Sequence, residues 1–99
     1  MEAFEKLEKS TTTDNIWMYI LSVLNKSPVH AYAMPDKIKQ KFGWKPELIT
    51  LYVVLYRIEG EGLITSATDG RKKVYKITEK GKAELKRAKA LLRKTANAL

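Results

Sequence analysis

Only three residues, Gly43-Trp44-Lys45, separate two stretches of helical periodicity, and a connection that short forces the two helices to pack across a tight turn. Ahead of it, Met34, Ile38 and Phe42 recur at four-residue steps, with Lys37, Lys39 and Lys41 between them. This predicts a helix that starts near Ala33–Pro35 and is closed by Gly43 at C′. Pro35 must lie in its first turn, where a missing N–H does no harm. After the connection, Pro46 fits the first helical position and Glu47 suits the positive end of the helix dipole. Leu48, Leu51, Tyr52, Leu55 and Ile58 then share one face, and Gly60 and Gly62 stop the helix.

A third helix is expected upstream, capped by Asp14 and running from Asn15 to about Lys26. Ile16, Trp17, Ile20, Leu21 and Leu24 supply its apolar face, and Ser27-Pro28 ends it. Downstream, Leu63–Ala67 and Lys73–Ile77 are rich in β-branched and aromatic residues, with Asp69-Gly70 between them as a hairpin signal. Thr78 caps a last helix from Glu79 to about Asn97, about 30 Å long and longer than so small a domain can cover. Its stripe of Leu85, Ala88, Leu92 and Leu99 is assigned to packing against a partner chain. The fold class is therefore mostly α with a small β-hairpin. It is a winged helix-turn-helix with a three-helix core, a two-stranded wing and a C-terminal dimerisation helix. Residues 1–13 read as an N-terminal arm or short helix, 14–78 as the winged domain and 79–99 as the dimerisation helix.

Charge adds the first functional clue. The chain carries +8, and the excess is localised: Arg71–Lys94 holds eleven basic residues against Glu79 and Glu84, while the first 70 residues are nearly neutral. Such a basic half suits a polyanion. The chain has no cysteine and one histidine, which rules out disulfides, thiolate metal sites and His-rich metal sites. No cofactor is expected. No apolar run approaches a membrane span and the N-terminus is charged, so an intracellular, cytoplasmic protein is expected. No catalytic arrangement of Ser, Cys, His or paired carboxylates and no phosphate-cradling loop is present, so an enzyme is not expected.

Several segments resemble the PadR-type transcriptional regulators: Ile20–Leu24, Pro28-Val29-His30-Ala31-Tyr32, Thr50-Leu51-Tyr52 with its continuation to Ile64, and Arg71–Gly81 with Tyr75-Lys76-Ile77-Thr78 leading into the last helix. The likeness covers residues 16–85. It departs from the family at Ala31, where glycine is usual, and at Val53, where proline is common. The short class with a single C-terminal helix is the best fit. The resemblance implies a homodimeric regulator, a repressor by preference, that binds palindromic double-stranded DNA. It also implies dimerisation through terminal helices and a response to a small apolar or phenolic effector.

On the winged layout the helix after the short turn enters the major groove. Glu47, Thr50, Val54 and Arg57 are expected on its outer face, with Thr50 able to donate and Val53 or Val54 placed to touch a thymine methyl. Tyr52 is expected to bury its ring and offer its hydroxyl to phosphate, and Lys45 to meet phosphate at the helix start. Arg71, Lys72 and Lys73 at the hairpin tip are expected on DNA. His30 is assigned a packing or backbone role, Tyr32 faces either phosphate or the core, and Trp17 is expected in the core. Two other readings compete: an architectural DNA protein of little sequence preference, and a winged helix serving as a protein–protein adaptor.

Overall fold

The computed structural model describes residues 2–99; Met1, the first residue of the expected arm, lies outside them. The chain forms α1 (Ala3–Ser10), a 3-10 turn (Thr13–Asn15), α2 (Ile16–Leu24), β1 (Val29–His30), a second 3-10 turn (Ala31–Ala33), α3 (Met34–Phe42), α4 (Leu48–Gly60), the hairpin strands β2 (Ile64–Asp69) and β3 (Lys72–Ile77), and α5 (Glu79–Ala98). This is a mostly helical fold with a small sheet, a winged helix-turn-helix.

Asp14 does not cap α2. It sits in the 3-10 turn and pairs with Lys9 at 3.7 Å, while Asn15 takes the N-cap place without a side-chain bond. The chain is instead tied down by Tyr19, whose hydroxyl donates to the Thr11 carbonyl. α3 begins at Met34, so Pro35 falls within its first turn, and Gly43 closes it with φ of 82°, the left-handed value that favours glycine. Pro46 is not the first residue of α4: Glu47 is the N-cap and the helix begins at Leu48, so the connection runs two residues longer than expected.

The hairpin loop is Gly70-Arg71, one residue past the expected Asp69-Gly70, because Asp69 pairs with Lys72. Gly70 takes φ of 65° and Arg71 stays negative, as a two-residue loop with glycine at its first position requires. A third strand went unpredicted. Val29 and His30 pair antiparallel with Tyr75 and Val74, giving the sheet order β1-β3-β2.

Ile20, Leu21, Met34, Ile38, Leu51 and Leu55 fill the centre of one core between the helices and the sheet. α5 closes it. Thr78 caps α5 as expected, its Oγ1 accepting from the Gly81 N–H at 3.0 Å. Gly81 is buried against Leu63, where a side chain would strike the Leu63 carbonyl oxygen and lie 2.8 Å from Ile77 Cγ1.

Candidate nucleic-acid interface

α4 is apolar on nearly every side, so its rotation is set by packing. Leu51, Val54, Leu55 and Ile58 face the core. At about 3.6 residues per turn the opposite side is centred on Ile49, Tyr52, Val53 and Tyr56, and all four are exposed: Ile49 to 72%, Val53 to 60% and Tyr56 to 83%. Val54, expected on the outer face, is buried at 8%, while Leu48, expected in the core, is exposed. Both corrections follow from one rotation of the helix towards its true buried side. Thr50 is half-buried at the margin of the exposed stripe. Tyr52 is 42% exposed and lies outside the buried core, against the expectation that its ring is core. Arg57 is exposed but lines a groove with Trp17, Leu63 and Glu84, on the flank turned towards α5. Ile49 and Tyr56 were absent from the sequence-derived surface, although the 49, 52, 53, 56 spacing marks one helical face.

Basic groups lie near the start of this helix and on the wing. Lys45 lies in the turn before α4, with its ammonium 3.1 Å from the Asp36 carboxylate. Glu47 is exposed at the N-cap. Tyr32, whose orientation was open, is exposed; it lines a cleft with Asp36, Lys45 and Leu48. The ammonium of Lys72 lies 5.3 Å over the Tyr32 ring, which brings the wing beside the helix-turn-helix. Lys73 is held back: its ammonium is 5.3 Å over the Tyr75 ring and 3.8 Å from Glu59 of α4. Tyr75 first and Glu59 second raise the Lys73 pKa. Glu59 also accepts from the Ser66 hydroxyl at 2.6 Å, so one carboxylate docks both wing strands on α4. His30 lies half-buried in β1, with Nε2 3.7 Å from the Asp69 carboxylate. Among the described residues, Arg71 and Lys72 have no carboxylate partner.

The expected dimerisation stripe divides. Leu85 is buried in the chain's own core, because the close seat of Gly81 draws the start of α5 onto the domain. Ala88 and Leu92 line an open groove of about 430 Å³ with Leu91, Trp17 and Met18, and Leu99 stands exposed at the far end. Trp17 is therefore half-buried at the groove and not fully in the core, its indole N–H donating to Asn15 at 3.1 Å. α1 buries no side chain, and its Phe4 and Leu7 are exposed. Trp44 packs edge-on against Tyr19 at 5.0 Å.

No helix among the described residues is long and apolar enough to cross a membrane. Among the same residues no group of three His, Cys, Asp or Glu side chains is placed to hold a metal ion.

Comparison with known proteins gives the same architecture. Residues 20–87 match the Transcriptional regulator PadR-like family. A PadR family transcription regulator from Clostridium difficile R20291 is 25% identical, with a TM-score of 0.75 over 84% of this chain and 92% of that one. Bacillus subtilis PadR, solved in complex with operator DNA, is 29% identical, with a TM-score of 0.64 over 73% of this chain and 45% of that one. A transcriptional regulator from Clostridium thermocellum shares the fold at 24% identity, with a TM-score of 0.78 over 84% of this chain and 87% of that one. No curated protein matches the chain.

Proposed function

Because the chain belongs to the PadR-like family of transcriptional regulators, DNA-binding winged-helix proteins and not enzymes, we propose that it works as a homodimeric repressor in the cytoplasm. It binds a two-fold-symmetric duplex, with α4 in the major groove and the β2–β3 tip on the flanking backbone. The observation that carries this reading is the exposed face of α4, with Arg71 and Lys72 of the wing left without carboxylate partners beside it. A helix fits the major groove, and cations alongside can meet the phosphates that border it. The relative solved on operator DNA supports duplex DNA as the partner.

The second copy is assigned to the far side of α2. There Leu91 and Leu92 are exposed along α5, and α1 offers Phe4 and Leu7. The groove beside Trp17 is the place for a small apolar or phenolic effector, since its walls are mostly apolar and an aromatic ring lines it.

Selection of bound sites from random duplexes, repeated across salt concentrations, tests the reading. The expected product is a palindrome whose half-sites lie about 34 Å apart or a multiple of that, with affinity falling steeply as salt rises. Binding without enrichment of any sequence would make the protein architectural. Absence of salt-dependent binding would leave the adaptor reading.

A further inference from the structure

Resting on the DNA-binding reading above, we infer that α4 recognises thymine, through the C5-methyl groups that Ile49 and Val53 meet in the major groove. The first nine residues of α4, Leu48–Tyr56, include no Arg, Lys, Asn, Gln, Asp, Glu or His. The side chains that grip guanine or adenine by paired hydrogen bonds, or accept from cytosine, are thus missing from this stretch; Glu47 stands before it at the N-cap and Arg57 after it, on the flank turned towards α5. Within Leu48–Tyr56 the outward side-chain polar atoms are the hydroxyls of Tyr52 and Tyr56, because Thr50 is half-buried at the margin. Each makes a single, rotatable hydrogen bond and discriminates little.

What the helix does offer is apolar. Ile49, Tyr52, Val53 and Tyr56 form one continuous exposed stripe. The thymine methyl is the apolar group that base pairs display in the major groove. Ile49 and Val53 are four residues apart, about 6 Å along the helix, close to two base steps of about 3.4 Å each. Both are β-branched and lose little freedom when seated. The cations nearby select DNA over an apolar protein partner: Arg71 and Lys72 have no carboxylate partner among the described residues, Lys72 lies over the Tyr32 ring, and Lys45, paired with Asp36, lines the same cleft as Tyr32 and Leu48.

The test compares the selected duplex with the same duplex carrying deoxyuridine for thymidine in the half-sites, which removes only the methyls. Affinity should fall about fourfold for each methyl that is read, equal to about 0.8 kcal/mol, with the salt slope unchanged. Replacing a read thymine by cytosine and by 5-methylcytosine should favour the methylated base by a similar factor. Ile49→Ala and Val53→Ala should each abolish the preference for thymidine over deoxyuridine at one position while leaving the thermal melt in place, since both side chains are exposed. Equal affinity for both duplexes, with the selected site still preferred over random DNA, would overturn the methyl reading and spare DNA recognition. Variants that keep the full thymidine preference would overturn the assignment to these two side chains. Failure to bind or to select any duplex would overturn this inference together with the function it rests on.

Discussion

Val53 and Val54 are neighbours of one type, yet the first stands in solvent and the second lies under the helix. Val54→Ala should cost about 2 kcal/mol, the loss of buried methyl groups plus the cavity left behind. Val53→Ala should stay within about 0.5 kcal/mol. Denaturant melts of the two variants check the rotation of α4 without any DNA present. A second residue, Tyr19, makes a pH prediction. Burial raises its pKa above the ordinary 10.0, so the folded chain keeps the phenolic proton to higher pH than the unfolded chain does. The unfolded state therefore binds fewer protons in that range. Stability from this group is full below about pH 10 and is lost as pH climbs through the raised value. Tyr19→Phe should flatten that alkaline loss relative to the parent chain. It should also cost about 1 kcal/mol near neutrality, for the bond to the Thr11 carbonyl.

Among the elements, the start of α5 and the tip of the wing answer to different tests. Gly81→Ala places a methyl against the Leu63 carbonyl and Ile77, both fixed by the sheet and the core, so α5 must shift. The expected cost is about 1–3 kcal/mol, read as a lower melting temperature. Arg71→Ala with Lys72→Ala should leave the melt alone, weaken binding to every duplex about equally and lower the salt slope by about one unit for each lost phosphate contact. The elements that could be read from the chain alone are those with local signals: Gly43 at the end of α3, the glycine of the hairpin loop, and Thr78 ahead of α5. β1 could not be, since two residues carry no periodicity and Val29 and His30 become a strand only by meeting β3 more than forty positions away. The rotation of α4 was equally hidden. With Leu48, Ile49, Val53, Val54 and Leu55 in one run, the apolar pattern does not distinguish the core face from the outer one. The partners of Lys45 and Lys73 depended on the same tertiary detail, whereas the cluster of charge at the wing was plain in the sequence.

On the scale of the whole molecule, the described residues extend over 48 Å in their longest direction and only 28 and 23 Å across. Most of α5 beyond Leu85 is solvent-facing, and a second copy would cover it. Leu92→Lys should halve the sedimenting mass to that of a single 11.3 kDa chain, with the melt of the winged core largely retained. α1 then acquires a thermodynamic meaning. A helix of eight residues that buries none of them gains little against its own nucleation in water, and contact with a second copy is expected to steady it. Helix content should rise with protein concentration over the range in which dimers form, and the Leu92→Lys chain should lack that rise in circular dichroism. Ordering α1 is a cost that association must meet, so it raises the protein concentration at which dimers form. Occupancy of a two-fold DNA site would then climb more steeply than the amount of protein made, and a cell that doubles its stock of this chain would more than double its grip on the DNA.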